Sequence, residues 1–240
     1  MEIITGRWSI TELGRLIYES SNLIDIGTRI DFLSKQFIGT PYEESTLKGD
    51  INSPEVFVIN LGAVDCFTFI DYVEAMRLSK SISEFTENLG KVRYQSGTIS
   101  FKKRNHFFTD WKEVNRGFVD DVTLAIGTNN IIKVRKLLNL KKDGTNFIPG
   151  VRRVEREICY IPSESMNAGV IAKLETGDYV GIYSKEAGLD VSHVGIIIKD
   201  RNSTLLRHAS SSKKHRKVVD EDFGEYISSK PGLIILRPKS

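Results

Sequence analysis

The hydrophobic period changes along this chain, and that change limits the fold more than any other feature. Near the N-terminus, Ser9-Ile10-Thr11-Glu12 has the form of a capping box, followed by Leu13, Leu16 and Ile17 at helical spacing. A second helical run, Ile26, Ile30, Leu33 and Phe37, stops at Gly39 with Pro41 just beyond. Val56 to Ile59 reads as a short extended segment, and then Cys66, Phe69 or Ile70, Val73 and Met76 return to helical spacing behind Asp65, a residue suited to cap the first turn. The last third changes character. Asp178 to Tyr183, Ser192 to Ile198, Thr204 to Ala209 and Leu233 to Leu236 are apolar strand-like runs separated by Gly, Asp, Asn and Ser turns. Helices first and a meander later define an α+β chain. The expectation is one domain over 1–240, with N-terminal helices about 9–38. An inserted subdomain is expected about 84–160, including a helix over Asn130 to Leu140.

Composition narrows the classes of partner. The 34 Lys and Arg residues exceed the 31 Asp and Glu by three, too little to suggest a nucleic acid partner. No apolar run approaches the roughly 18 residues of a membrane span. Two cysteines, Cys66 and Cys159, sit in unlike contexts, so a disulfide framework is not expected. Cys159 reads as buried and inert, and the run Lys213-Lys214-His215-Arg216-Lys217 as a solvated loop, or as a contact for anionic wall polymer or membrane surface.

Chemistry concentrates around Cys66. A thiol at a helix N-terminus becomes a nucleophile when its thiolate is favoured, and a nearby imidazole completes the arrangement. Of the four histidines, His193 opens the strand Ser192 to Ile198 and His208 lies near the end of the next strand. If these strands pair through a turn at Lys199-Asp200-Arg201-Asn202, the two imidazoles stand side by side: a general base and a group to orient it.

These pieces resemble the NlpC/P60 superfamily of cysteine peptidases and amidases that act on bacterial cell-wall peptides. Gly39-Thr40-Pro41-Tyr42 is similar to its Gly-x-Pro-Tyr segment, Asp65-Cys66-Phe67-Thr68-Phe69 to its nucleophile motif, and His193-Val194-Gly195-Ile196 to its histidine strand. His208-Ala209-Ser210 resembles the segment of its third catalytic residue, and Gly177-Asp178 its turn into the β-meander. Thr68 departs from the usual Ser-Gly, and 127 positions separate Cys66 from His193. With Arg104 to Trp111, these departures look like the DUF1460 family, described as N-acetylmuramoyl-L-alanine amidase-like.

The resemblance implies a papain-like core, with a nucleophile helix packed on an antiparallel β-meander or barrel. It implies Cys66 as nucleophile, His193 as base and His208 as its orienting residue. Tyr42 would assist an oxyanion site, and Asp65 would contact a substrate amine as well as cap the helix. A stem-peptide amide of peptidoglycan or a muropeptide is the implied substrate, cleaved through a thioester without metal or other cofactor. A monomer is expected. Its expected location is periplasmic or otherwise extracytoplasmic, with cytoplasmic muropeptide recycling the expectation if Met1 is the native start.

Other readings stand beside these. Tyr42 also suits a packed turn aromatic. His106, Asp110 and Trp111 suit either a substrate-binding cleft wall or the docking core of the insertion. A zinc amidase using Cys66, His193 and His208 lacks a supporting His-Glu-x-x-His or Cys-x-x-Cys spacing. A non-catalytic wall-binding module and an acyltransferase on the same fold complete the alternatives.

Overall fold

The computed structural model describes residues 1–201 and 203–239. In chain order the elements are β1 (Glu2–Ile4), α1 (Ile10–Ser21), α2 (Ile26–Lys35), β2 (Val58–Asn60), α3 (Cys66–Arg77), α4 (Ile82–Arg93) and α5 (Phe108–Val114). There follow β3 (Val119–Asp121), α6 (Thr123–Gly127), β4 (Ile132–Leu138), β5 (Val154–Pro162), α7 (Ala168–Ala172) and β6 (Tyr179–Tyr183). The chain finishes with β7 (Val191–Lys199), β8 (Thr204–Ser210), β9 (Lys217–Asp222), α8 (Phe223–Ser228) and β10 (Gly232–Pro238).

Local capping sets the helix starts. At α1, Ser9 N–H donates to Glu12 Oε2 at 2.8 Å and Glu12 N–H donates to Ser9 Oγ at 3.2 Å, closing the box read in the sequence. At α3, Asp65 Oδ1 accepts from the N–H groups of Phe67 and Thr68 at 2.9 and 2.7 Å, so the nucleophile candidate occupies the first helical position.

The main sheet is antiparallel, ordered β4-β5-β10-β6-β7-β8-β9, with β3 pairing β10 off this path; β1 and β2 form a separate parallel pair. Each face of the main sheet buries its own core, which gives the mixed α+β architecture. On one face α1 to α4 gather Phe37, Phe69, Tyr72 and Phe85 against Val194, Ile196 and Ala209. On the other, α6, α7 and α8 cover Val180, Ile197, Leu206 and Ile235. Alternation along each strand divides these two sets.

Helix α3 is buried from Thr68 to Arg77, polar residues included, and those polar groups pair internally. Arg93 Nε donates to Asp71 Oδ2 at 2.9 Å, Trp111 Nε1 donates to Asp71 Oδ1 at 3.0 Å, and Arg93 Nη1 reaches Val58 O at 2.7 Å. Lower down, Arg77 meets Glu74 at 2.7 Å and Tyr179 O–H donates to Glu74 Oε2 at 2.8 Å.

Two expectations need correction, the helix over Asn130 to Leu140 and the burial of Cys159. The stretch expected as a helix over Asn130 to Leu140 contains β4, which pairs β5 from Ile132↔Tyr160 to Leu138↔Val154. Its apolar spacing suited either period, and a distant strand decided it. Within the segment about 84–160, α4 contributes Phe85, Leu89 and Val92 to the same cluster as α3, and β5 joins the sheet beside β10. Cys159 is a free, half-buried thiol on β5 rather than a core residue. Of the basic run, Lys213, Lys214, Arg216 and Lys217 are exposed, and Lys217 opens β9, a strand the sequence reading missed. Asn202, expected in the turn between β7 and β8, lies outside the described residues.

Candidate active site

The β7–β8 ladder runs from Lys199↔Thr204 to Ile196↔Arg207 and stops there. Alternation places His193 on the face of Ile197 and His208 on the face of Leu206, the side covered by α8. Beyond the last rung the two imidazoles meet: their rings are 4.9 Å apart and perpendicular, with His193 Nε2 2.7 Å from His208 Nδ1. Gly195 makes the approach possible, because a Cβ there would lie 3.0 Å from His208 Cβ and 2.8 Å from Leu206 Cδ1.

A third group continues this chain. His208 Nε2 lies 2.7 Å from Glu221 Oε2 on β9. A carboxylate only accepts, so His208 Nε2–H donates to it, which leaves His208 Nδ1 to accept from His193 Nε2–H. The pattern assigns His193 Nδ1 as the free lone pair, the atom a base must offer.

Cys66 comes from the opposite face, at the end where the ladder has opened. The N–H groups of Val194, Cys66 and Phe67 all act on its sulfur and favour the thiolate. Burial outweighs them and, with the Asp65 carboxylate adding to it, pushes the thiol up to about 12. Burial also pushes His193 down to about 3, with His208 and Lys230 acting in the same direction. At the helix tip, desolvation thus works against the thiolate that the three N–H groups favour. Among the described residues, Cys66 Sγ makes no hydrogen bond to His193 in this arrangement. Val194, the residue after His193, supplies the N–H that faces the sulfur.

Tyr42 is placed by backbone pairing on both sides. Gly39 N–H donates to Val218 O and Tyr42 N–H to Arg216 O, each at 2.9 Å, so Gly39 to Tyr42 runs along β9. Tyr42 also bridges Val64, two residues before Cys66. Its hydroxyl is pushed up to about 12, first by burial and then by Cys66 and Asp65, and it remains a donor at neutral pH. The Arg216 guanidinium lies 4.9 Å from its ring centroid.

The remaining candidates lie elsewhere. Trp111 is fully buried, with its N–H committed to Asp71, so it belongs to the core and not to a cleft wall. His106 Nε2 faces Phe101 O at 2.7 Å, and Asp110 pairs with Arg156 at 2.5 Å. Both line a separate cavity of about 320 Å³. A larger cleft of about 730 Å³ is lined by His193, His208, Glu221, Tyr226 and Lys230. No group of three or more His, Cys, Asp or Glu side chains among the described residues is arranged to hold a metal ion.

Three residues near the histidines had escaped the sequence reading. Glu221 lies on the missed strand β9. Tyr226, from α8, lies 5.1 Å from the His208 ring and 6.4 Å from that of His193. Asp190, just before β7, accepts from Thr109 N–H at 2.7 Å and from its hydroxyl at 2.8 Å, tying α5 to the start of the histidine strand. Only β9, through the adjacent β-branched pair Val218-Val219, carried a local signal for any of them.

Comparison with solved structures agrees with this architecture. A Legionella pneumophila protein of the DUF1460 family superposes with a TM-score of 0.82 at 23% identity, covering 96% of this chain and 94% of its own. An N-acetylmuramoyl-L-alanine amidase from Bacteroides uniformis superposes with a TM-score of 0.71 at 26% identity, covering 95% of this chain and 99% of its own. No curated protein matches. A family model described as AmiA-like, N-acetylmuramoyl-L-alanine amidase-like, matches residues 32–233. The chain therefore belongs to the AmiA-like family of N-acetylmuramoyl-L-alanine amidase-like proteins.

Proposed function

We propose that this protein is a cysteine hydrolase with a papain-like NlpC/P60 core that cleaves an amide of the peptidoglycan stem. The bond is either the N-acetylmuramoyl-L-alanine or the γ-D-glutamyl-diamino acid linkage. One observation carries the reading: a hydrogen-bonded series, Glu221 to His208 to His193, ends next to Val194, whose N–H faces the sulfur of a cysteine at a helix tip. The AmiA-like family supports an amidase acting on wall peptides.

Desolvation disfavours charge on both the thiol and the imidazole, so the proton moves as the bond forms. His193 Nδ1 takes the Cys66 Sγ proton while the sulfur attacks the amide carbonyl. The resulting oxyanion is met by the Cys66 N–H and the Tyr42 hydroxyl. Collapse breaks the C–N bond, and the leaving amine takes the proton from His193. A water then gives a proton to His193 and attacks the thioester, which frees the carboxylic acid and restores the thiol. Asp65, fixed as the α3 cap, stands beside this centre to meet a substrate amine. No helix among the described residues is long and apolar enough to cross a membrane. The proposed setting is extracytoplasmic, where an intact sacculus lies.

Digestion of purified peptidoglycan with wild type and Cys66→Ala, read by mass spectrometry of the released muropeptides, tests the proposal. Wild type should release fragments whose new termini name the bond, and Cys66→Ala should release essentially none. Identical products from both proteins would end the cysteine mechanism. Activity that survives iodoacetamide and falls with a chelator would point to a metal enzyme instead.

A further inference from the structure

The cleft beside the two histidines holds an ammonium with no carboxylate of its own. Of the carboxylates lining that cleft, Asp220 is gripped by Arg207 Nε and Nη2 at 2.8 Å each, Glu221 accepts from His208 at 2.7 Å, and Asp222 caps α8 through Glu225 N–H at 2.8 Å. Glu225 is exposed. Lys230 lines the same cleft, is half-buried and forms no ion pair among the described residues. Its Nζ lies 4.7 Å from the centroid of the Tyr226 ring, the ring that also packs against both histidines. Cation–π seating restricts where the charge can go, and the charge is felt at His193.

We infer that Lys230 is a specificity residue that binds a carboxylate carried by the substrate close to the scissile amide. This rests on the hydrolase reading and deepens it. A half-buried ammonium seated on an aromatic ring attracts a compact anion, and the carboxylates around the cleft disfavour a dianion such as phosphate. Of the two candidate amides, the γ-D-glutamyl linkage carries a free α-carboxylate on its acyl half. A substrate with that carboxylate ionised satisfies Lys230, whereas one with it amidated leaves the half-buried ammonium unpaired, a mismatch that weakens its binding and so gives selectivity for the acid.

The test compares N-acetylmuramoyl-L-alanyl-γ-D-glutamyl-L-lysine with the same peptide amidated at the glutamyl α-carboxylate. For wild type, kcat/KM should favour the free acid by about ten- to a hundredfold, the usual worth of a hydrogen bond to a charged group. Lys230→Met should bring the ratio near one, mainly through a higher KM for the acid, and Lys230→Arg should keep the preference. An unchanged ratio in Lys230→Met, or no preference in wild type, overturns the proposal. Calorimetric binding of both peptides to Cys66→Ala and to Cys66→Ala/Lys230→Met separates the two levels of inference. If wild type cleaves neither peptide but Lys230 alone sets a binding preference for the acid, the carboxylate site stands while the hydrolase reading falls. Equal binding of acid and amide with Lys230 present, or no binding of either, overturns it.

Discussion

Two histidines in contact need something to decide which nitrogen carries each proton, and Glu221 provides it. As an acceptor bound to His208 Nε2, it holds both rings in the tautomers that leave His193 Nδ1 free. His215 Nε2 stands 3.6 Å from the other carboxylate oxygen, so Glu221 sits between two imidazoles. Glu221 is a positioning residue, acting through His208. Glu221→Gln should lower kcat by about ten- to a hundredfold with little change in KM. That is less than the ~10⁴ lost when the group directly behind a catalytic histidine is altered, because Glu221 is one step further away. Imidazole ¹⁵N shifts should show a redistribution of the His208 tautomer in the same variant. An unchanged kcat with wild-type shifts would reduce the contact to a structural pair. The same residues show how local sequence carries a site. His193 and His208 were legible as neighbours because a hairpin register is short-range, and Tyr42 and Asp65 because they flank turns and caps. Glu221 was not, because its strand went unrecognised.

At the level of elements, everything depends on α3 being held with its tip at the opening between β7 and β8. The Asp71, Arg93 and Trp111 group does much of this from one turn beyond Cys66, joining α3, α4 and α5. Burial pushes the Asp71 carboxyl up while Arg93 pulls it down, so the charged pair depends on its partners. Asp71→Ala leaves a guanidinium buried without its carboxylate and should cost roughly 3–5 kcal/mol in urea unfolding. Replacing both with apolar residues, as Asp71→Leu with Arg93→Met, should recover much of that loss. A single variant as stable as wild type would show that the pair does not anchor the helix. The helix starts were readable because caps work within three or four residues. β4 was misread because Ile132, Val134, Leu137 and Leu138 satisfy a helical or an extended period, and only pairing with β5 distinguishes them. Trp111 suited a cleft wall or a docking core equally; its partner lies 40 residues earlier, beyond the reach of any local pattern.

For the molecule as a whole, burial in the assembled fold sets the electrostatics of the site. His193 and His208 are both held below the ordinary imidazole value, mainly by desolvation, with Glu221 opposing it at His208. The folded state thus takes up protons less readily than the unfolded chain. Stability is therefore full above the unfolded value of about 6.5 and declines as pH falls toward the depressed folded values. Thermal unfolding should show a falling Tm between about pH 6.5 and 5, with a shallower fall in His193→Asn; a wild-type Tm flat across that window would refute this. The sequence by itself determined the α+β class, the capped helix carrying Cys66 and the pairing of two histidines on neighbouring strands, because caps and alternation act over a few residues. Only the tertiary structure decided that α4 and α5 pack into the same cluster as α3, that Glu221 and Lys230 flank the histidines, and that burial works against charge on thiol and imidazole. Each of these depends on which distant surfaces exclude water together, and desolvation has no local signature in a chain.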